Sequence, residues 1–351
     1  MNIQIIIEEL RRLVREIQEL TAQLSAHLQC RILVLFLISI TLVSSLYLLP
    51  LAYSQEFAYI STWSEFGTEE TSLSSPEGIA VDPSSGNVYV ADTGNNRIQT
   101  FSSNGTFIAE WGRYGTGNGS LSSPRDIALD QAGNVYVADT GNNRIQTFSS
   151  NGTFISVLGR DGGANGTLRS PEGIAVDPSS GNVYVADTVN NKIKKFSSNG
   201  TFITEWGRYG GAVGNGTLRI PEGIAVDPSS GNVYVADTVN NRIQTFSSNG
   251  TFISKWGGGY APRAINGSFD HPSDIALDQA GNVYVADTGN NRIQTFSSNG
   301  TFISVLGRDG GANGTLRSPE GIAVDPSSGN VYVADTDNNR ISVFTSRLSI
   351  P

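Results

Sequence analysis

The sequence predicts an all-β fold, a six-bladed β-propeller, preceded by a separate N-terminal helical region. A unit of about 50 residues recurs along most of the chain, which is typical of propellers and other repeat arrays. Each unit contains four short runs rich in β-branched and aromatic residues, separated by turn sequences. Glycine is abundant, with 40 residues, and only 16% of the 351 residues are charged, which suits many short strands joined by tight turns.

Residues 1–31 carry an apolar heptad pattern that predicts an amphipathic helix. The apolar positions follow one another at intervals of four and three residues: Ile6, Leu10, Leu13, Ile17, Leu20 and Leu24. One interpretation is a cytoplasmic helix that lies on a membrane surface or packs locally. The other is a short coiled coil through which residues 6–28 self-associate, at the lower limit of about three heptads.

Residues 32–53 contain no charged side chain and predict a transmembrane helix. Arg31 precedes this segment and no positive residue closely follows it, so the positive-inside rule places the N-terminus in the cytoplasm and residues 54–351 outside. The alternative is a cleaved signal sequence, since Ala52, Tyr53 and Ser54 offer small residues at its end. The large domain is exported in either case, as an anchored or a secreted protein.

The repeat begins at a proline, and its strands and turns can be assigned within the first unit. The first prolines are Pro76, Pro124, Pro171, Pro221, Pro272 and Pro319. The predicted strands of the first unit are Gly78–Asp82, Asn87–Asp92, Arg97–Ser102 and Thr106–Trp111. Ser-Gly-Asn, Asn-Asn and Asn-Gly supply the three turns, and four antiparallel strands make one blade. Residues 126–188 and 274–336 are identical, which indicates recent duplication.

The two ends of the repeat region predict how the ring closes. The last unit ends after its third strand, Arg340–Phe344, whereas residues 59–67 resemble the fourth strand of other units, such as Phe202–Gly207. We expect this N-terminal segment to supply the missing strand of the last blade. Such closure leaves no unpaired edge at the seam.

The run VYVADTGNNRIQTF, preceded by PEGIAVD, resembles the NHL repeat, and the pattern occurs six times between residues 57 and 345. The resemblance implies a six-bladed propeller around a central channel. NHL propellers also occur as extracellular sensor domains of membrane-anchored bacterial proteins. The family includes RNA binders, protein binders and enzymes, so the fold by itself does not name the ligand.

Two charged positions recur in every unit. The acidic one ends the VAD element, at Asp92, Asp139, Asp187, Asp237, Asp287 and Asp335, and the basic one follows five residues later, at Arg97, Arg144, Lys192, Arg242, Arg292 and Arg340. One interpretation is a charged ring that binds ligand. The favoured interpretation is an ion pair or a turn-capping hydrogen bond in each blade, because six-fold recurrence is what a structural residue shows.

A carboxylate also follows each first proline, and these side chains are candidates for ligand binding. They are Glu77, Asp126, Glu172, Glu222, Asp274 and Glu320. Strand direction places them where the chain enters the innermost strand, near one mouth of the channel. We hypothesise an acidic ring that attracts cationic groups or a divalent ion; the alternative is that these residues cap turns. No metal site with a defined ligand set and no cofactor is predicted.

Differences between units are the other guide to a binding site. Arg125 and Ser273 replace glutamate after the proline, and Lys192, Lys194 and Lys195 make one strand basic. The longest inter-blade loop, residues 257–271, contains the further candidates Tyr260, Arg263 and His271. The alternative interpretation is neutral drift after duplication.

Asn-Gly-Thr or Asn-Gly-Ser occurs ten times and fits the N-glycosylation pattern as well as a turn. The asparagines are Asn104, Asn118, Asn151, Asn165, Asn199, Asn215, Asn249, Asn266, Asn299 and Asn313. In an exported protein each is a glycosylation candidate.

Composition narrows the functional classes. The net charge of −9 lies entirely after residue 53, which disfavours nucleic acid as a partner. The single cysteine, Cys30, and the two histidines, His27 and His271, provide no disulfide framework and no thiolate zinc site. NHL-related zinc lyases that act on peptidyl-hydroxyglycine rely on several channel histidines, and the propeller region here has only His271, so an enzyme is disfavoured.

The favoured function is therefore a membrane-tethered, extracytoplasmic binding, scaffold or sensor module for a protein, peptide or glycan at the cell surface. The first alternative is a lyase or hydrolase centred on the channel. The second is RNA binding, as in tripartite-motif NHL proteins.

Overall fold

The computed structural model describes residues 11–16, 55–64, 67–159, 166–258 and 265–348. Residues 11–16 are helical and mostly exposed, and Arg12 Nε lies 3.3 Å from a carboxylate oxygen of Glu16 one turn away. The remainder of the predicted N-terminal helix and the predicted membrane segment, residues 32–53, lie outside the described residues. Within the described part of the chain, no helix is long and apolar enough to cross a membrane.

Residues 55–348 form six antiparallel sheets of four strands, which confirms the all-β, six-bladed propeller. The first two blades contain β2 (Pro76–Val81), β3 (Val88–Asp92), β4 (Arg97–Phe101), β5 (Phe107–Trp111), β6 (Pro124–Leu129), β7 (Val135–Asp139), β8 (Arg144–Phe148) and β9 (Phe154–Leu158). The next two contain β10 (Pro171–Val176), β11 (Val183–Asp187), β12 (Lys192–Phe196), β13 (Phe202–Trp206), β14 (Pro221–Val226), β15 (Val233–Asp237), β16 (Arg242–Phe246) and β17 (Phe252–Gly257). The last two contain β18 (Pro272–Leu277), β19 (Val283–Asp287), β20 (Arg292–Phe296), β21 (Phe302–Leu306), β22 (Pro319–Val324), β23 (Asn330–Asp335), β24 (Arg340–Leu348) and β1 (Gln55–Trp63).

The second turn of each blade is a short 3₁₀ turn that lies at the same end of the blade as the first proline. These turns are Thr93–Asn95, Thr140–Asn142, Thr188–Asn190, Thr238–Asn240, Thr288–Asn290 and Thr336–Asn338. An asparagine in the left-handed conformation, such as Asn96 with φ 55°, ends each turn. Asparagine tolerates this backbone better than most residues, which explains the repeated Asn-Asn. We call this end of the propeller the mouth face.

Strand β1 closes the ring by pairing antiparallel with β24, in the position of a fourth strand. The predicted closure is confirmed, with different bounds. Strand β1 starts at Gln55 rather than residue 59, because β24 continues beyond Phe344 and gives the earlier residues a partner, from Gln55 opposite Leu348 onward. A register shift between Tyr59 and Ser61 accommodates one extra residue.

The core lies between blades rather than within one blade. Each of six buried clusters combines side chains of two neighbouring sheets, and the cluster at the seam joins the first blade to the last. In that seam the Trp63 ring lies 5.3 Å from the Tyr332 ring and 6.0 Å from the Phe101 ring, measured between centroids. The N-terminal strand therefore contributes to the core as well as to the sheet.

A repeated hydrogen bond fixes where each innermost strand begins. The threonine after the VAD element donates to the carbonyl of the next blade's first proline, as Thr93 does to Pro124 at 2.6 Å. Thr336 makes the same bond to Pro76 across the seam, at 2.7 Å. The residues that follow these prolines are therefore held in register around the channel.

Candidate functional site

The channel narrows at the mouth face to a cavity of about 30 Å³, enough for one or two water molecules or a small charged group. Its wall is formed by the residues that follow the first prolines: Glu77, Gly78, Arg125, Asp126, Glu172, Glu222, Gly223, Ser273, Asp274, Glu320 and Gly321. The structure thus brings all six predicted carboxylates to one site, together with Arg125.

Four glutamates, Glu77, Glu172, Glu222 and Glu320, directly follow their prolines and form what we call the acidic ring. The other two positions belong to the second and fifth blades, which stand opposite each other. Arg125 fills one of them. Its Nη1 lies 3.0 Å from Glu77 Oε2 and 3.8 Å from Glu172 Oε2. Arg125 is the single cation among the residues that line the cavity.

The ring is electrostatically crowded. Burial, followed by repulsion from Glu320, raises the pKa of Glu77 to about 8. Burial, followed by repulsion from Glu172 and Glu320, raises the pKa of Glu222 to about 9. Burial also raises the pKa values of the other two ring glutamates, although Arg125 opposes the shift at each. Near neutral pH at least two of the four carboxyl groups therefore hold a proton.

Asp126 and Asp274 line the same cavity as the four glutamates but come from a different position of the repeat. Each lies one residue further along the strand, where the other blades carry glycine. Asp126 accepts hydrogen bonds from the N–H groups of Ile127, at 2.7 Å, and of Ile174 in the next blade, at 2.8 Å. Asp274 makes the equivalent two bonds in the opposite half.

Burial, and then the charge of Asp274, raises the pKa of Asp126 well above its usual range. Burial raises the pKa of Asp274 to about 7. The two aspartates tie neighbouring blades together as well as lining the cavity.

In the four blades that carry a ring glutamate, glycine is required at the next position because the innermost strands approach each other closely. A Cβ atom at Gly173 would lie 1.9 Å from the carbonyl oxygen of Glu222, and one at Gly321 equally close to that of Glu77. No side chain fits at such distances. The Glu-Gly pair of the repeat therefore sets both the ring and the narrow channel beneath it.

The recurring Asp and Arg residues lie away from the cavity and form buried pairs. In five blades the arginine Nε lies 2.6 or 2.7 Å from the aspartate Oδ2. The aspartate also holds the preceding inter-blade linker, as Asp237 does by accepting from the N–H of Arg219 at 2.7 Å. The arginine donates to linker carbonyls, including Arg242 to Thr217 O at 2.7 Å.

The third blade departs from the predicted pairing. Lys192 lies opposite Asp187 in the strand pairing, but its ammonium group pairs with Glu205, and the cation that pairs with Asp187 is Lys194, at 3.0 Å. Lys194 is only 5% exposed, and Lys195 lies 5.0 Å above the Tyr184 ring centroid. All three lysines therefore make contacts within the chain.

His271 lies on the mouth face but does not line the cavity. Its side chain is 60% exposed, and Nδ1 lies 2.7 Å from Asp270 Oδ1. Ser273 does line the cavity, yet its hydroxyl donates to Glu320 O at 2.9 Å, and no hydrogen bond joins it to His271 among the contacts of the described residues. The geometry therefore lacks the serine–histidine contact of a catalytic triad. Tyr260 and Arg263 lie outside the described residues.

Among the described residues no group of three or more His, Cys, Asp or Glu side chains is arranged to hold a metal ion. The glycosylation candidates in the Ser-Ser-Asn-Gly-Thr turns use the side-chain oxygen within the turn. Asn104 Oδ1, for example, accepts from Ser102 Oγ at 2.6 Å and from Thr106 Oγ1 at 2.9 Å. Asn165 lies outside the described residues.

Sequence reasoning missed two features near the mouth. The buried role of Lys194 was hidden because its blade also has lysine at the usual arginine position. Ile220 precedes the fourth blade's first proline with φ 52°, where the other blades have serine or histidine. A comparison of the six residues before the prolines would have singled it out.

The fold resembles several solved propellers, all at low sequence identity. A virginiamycin B lyase from Staphylococcus aureus is 16% identical, with 83% of this chain and 99% of that chain covered and a TM-score of 0.55. A gluconolactonase from Xanthomonas campestris is 15% identical, with 84% and 88% covered and a TM-score of 0.58. A chain of a nidogen–laminin complex is 20% identical, with 73% and 87% covered and a TM-score of 0.56. At these identities the likeness shows the fold alone. No curated protein sequence matches this chain.

The family model for the NHL repeat matches six segments of the chain, at residues 73–101, 121–148, 168–196, 218–246, 269–296 and 316–344. Each segment covers the three inner strands of one blade together with the end of the linker that leads into it. The chain therefore belongs to the NHL-repeat proteins, with one repeat in each blade of the propeller.

Proposed function

We propose that the chain is a binding module whose channel mouth takes a cationic group of a protein or peptide ligand. The observation that carries this proposal is the acidic ring, in which four glutamates share one cavity with a single arginine, Arg125. Burial and mutual repulsion hold protons on Glu77 and Glu222. An arriving ammonium or guanidinium group would displace these protons and pair with the carboxylates.

A protein or peptide suits this site better than a glycan, because a lysine, arginine or N-terminal amine supplies the cation. The resemblance to a propeller solved in a nidogen–laminin complex supports a protein ligand. Neutral glycans offer hydroxyl groups, which gain less from a crowded set of carboxylates.

The proposal includes export of the propeller, with residues 32–53 acting as a membrane anchor or as a cleaved signal. It also includes glycosylation of sequons where the host performs it. The absence of charge in residues 32–53 supports export. Strand β1 is the outermost strand of its blade, so the chain enters the propeller on the perimeter and away from the channel mouth.

The test is calorimetric titration of the full chain with a short lysine-rich peptide, and with the same peptide acetylated on its lysines. We expect only the charged peptide to bind, and to bind more tightly at pH 9 than at pH 6, because the ring loses its protons as pH rises. Titration in buffers of different ionisation enthalpy should reveal proton release at pH 7.

Matched double variants decide the site. Glu77→Gln with Glu222→Gln removes two carboxyl groups from the ring that a bound cation would otherwise ionise, whereas Glu69→Gln with Glu70→Gln removes two carboxyl groups from exposed positions. Equal affinity of the two double variants for the charged peptide would overturn the proposal.

A second candidate is a channel-centred lyase or hydrolase, and one observation favours it. A carboxyl group with a pKa of about 9, as at Glu222, holds a proton at neutral pH and can act as a general acid. Turnover of a panel of lactones and esters would support this candidate if Glu222→Gln abolished it and Glu70→Gln did not. Absence of turnover by the wild-type chain would count against it.

A further inference from the structure

Exposed apolar side chains on the mouth face cluster at the third and fourth blades. In the first linker Tyr114 is 77% exposed, but the corresponding positions around it are Gly94, Ser123 and Gly141. Val189, Tyr209 and Ile220 are 44%, 69% and 41% exposed, and Val239 is half-buried. All four belong to the third and fourth blades or to the linker between them, and we call them the apolar rim. The valines stand where the other blades carry Gly94, Gly141, Gly289 and Asp337.

Hydrogen bonds hold two members of the apolar rim side by side. The Asn191 side chain accepts from the N–H of Ile220 at 2.9 Å and donates to the carbonyl of Val189 at 3.1 Å. Ile220 precedes Glu222 of the acidic ring by two residues. This part of the rim therefore lies directly beside the carboxylates.

The other two members continue the same arc. The N–H of Val239 donates to the carbonyl of Arg219, which adjoins Ile220, at 3.2 Å. The neighbouring Asn240 side chain donates to the carbonyl of Gly210, which adjoins Tyr209, at 2.9 Å. The four side chains thus follow one another around the mouth instead of being scattered over the surface.

Ile220 has a strained backbone that the repeat does not require of an isoleucine. The equivalent residues also have positive φ, between 44° and 50°, and they are Ser75, Ser123, Ser170, His271 and Ser318. A β-branched residue in this region is an outlier, and such strain clusters at functional sites. An exposed and strained isoleucine next to the acidic ring is best explained by contact with a ligand.

We infer that the apolar rim holds bulky apolar residues that adjoin the cationic group in the ligand. This inference rests on the proposed function and names its ligand class: a peptide segment with a basic residue next to aliphatic or aromatic ones. Charge complementarity with the ring selects a basic residue in the ligand. Because Ile220 precedes Glu222 by two residues, the apolar residues of the ligand have to lie close to that basic residue.

The experiment titrates the full chain with two synthetic peptides of equal charge, one containing Lys-Leu-Phe and the other Lys-Ser-Ser. We expect the wild-type chain to bind the first about tenfold more tightly, as the burial of one large apolar side chain implies. Ile220→Ser, which introduces the residue found in four other blades, should remove most of that preference. Val213→Ser is the control. This valine lies in the same linker and is 92% exposed, but its carbonyl accepts from Lys255 of the outermost strand β17 at 2.8 Å, at the perimeter of the blade.

The outcomes separate this inference from the proposed function. Equal binding of both peptides by the wild-type chain would overturn the inference and leave cation binding intact. An equal loss of the preference in Val213→Ser and in Ile220→Ser would also overturn the inference, since that result indicates nonspecific binding to exposed apolar side chains. If neither peptide bound, the proposed function and the inference would both fall.

Discussion

The recurring Asp–Arg pairs and the acidic ring are both built from repeat positions, yet their electrostatic surroundings are opposite. Asp237 accepts from Arg242, Asn240 and Gln244 and from one linker N–H group. The four ring glutamates share Arg125 alone. Recurrence therefore does not separate structural from functional charges in a repeat protein. The number of hydrogen-bond donors and cations around each carboxylate does separate them, because a carboxylate with few such neighbours can still gain a partner.

The largest expected effect comes from breaking a satisfied pair. Asp237→Ala leaves Arg242, which is 1% exposed, without its counter-ion. We expect the free energy of unfolding to fall by about 3–5 kcal/mol, the usual cost of a buried charge that loses its partner. Urea denaturation measures this change.

The exposed Asp309→Ala is the matched control and should change stability little. A loss below about 1 kcal/mol for Asp237→Ala would show that the Asp–Arg pairs contribute little to the stability of the fold.

The next largest effect is expected at Glu222, a ring carboxylate with few donors around it. Burial and carboxylate repulsion raise the pKa of Glu222 from 4.5 to about 9. The folded state holds this proton more tightly than the unfolded chain, so the stabilisation is complete below pH 4.5 and is lost as pH rises to about 9. Glu222→Gln, which cannot ionise, should equal the wild type near pH 4.5 and exceed it at pH 9 by roughly 1–2 kcal/mol.

Thermal melting across this pH range compares Glu222→Gln with Glu70→Gln, whose side chain is exposed. Parallel curves for wild type and Glu222→Gln would show that the ring glutamate carries no excess proton.

A smaller effect is expected at Arg125, where Arg125→Ser gives the second blade the residue of the fifth. Arg125 lowers the pKa values of Glu77 and Glu172, so its loss raises both and steepens the fall of stability with pH. We expect a cost of about 1 kcal/mol at pH 9 and little at pH 5. A lysine-rich peptide should bind more tightly, because it no longer competes with a resident cation. Weaker binding would place Arg125 among the ligand contacts.

The smallest effect concerns backbone strain beside the ring. Ile220→Ser relieves the cost of an isoleucine with φ 52° and should raise the free energy of unfolding by up to about 1 kcal/mol. Guanidinium denaturation measures the gain, with Val213→Ser as the neutral control. A loss of stability would mean that Ile220 is retained for packing.

The fold could be predicted almost completely from the sequence, because the sequence pattern of the strands and turns recurs in six repeats. The closing strand was found from the likeness of residues 59–67 to other fourth strands. Its bounds were wrong, since β24 extends to Leu348 and that extension depends on pairing with Gln55 rather than on any repeat pattern.

The sequence predicted which carboxylates line the site, but not how far along its strand each one lies. Asp126 and Asp274 were grouped with the glutamates because both kinds of residue follow a proline closely. Both aspartates line the same cavity from one residue further along their strands, where each carboxylate accepts from two backbone N–H groups. Lys194 pairs with Asp187 because it stands where other blades have a glutamine that donates to the same aspartate oxygen, as Gln99 does to Asp92 at 3.1 Å.

The pairing of β1 with β24 imposes an order on biosynthesis. Strand β1 is synthesised first among the strands, but its partner is complete only when the ribosome reaches Leu348. At about 5–20 residues per second the wait lasts tens of seconds. During that time Phe57, Tyr59 and Trp63 lack the neighbours they later pack against in the fifth and sixth blades. The nascent chain therefore has to protect this aromatic segment, in solution or in a translocation channel, until its last strand arrives.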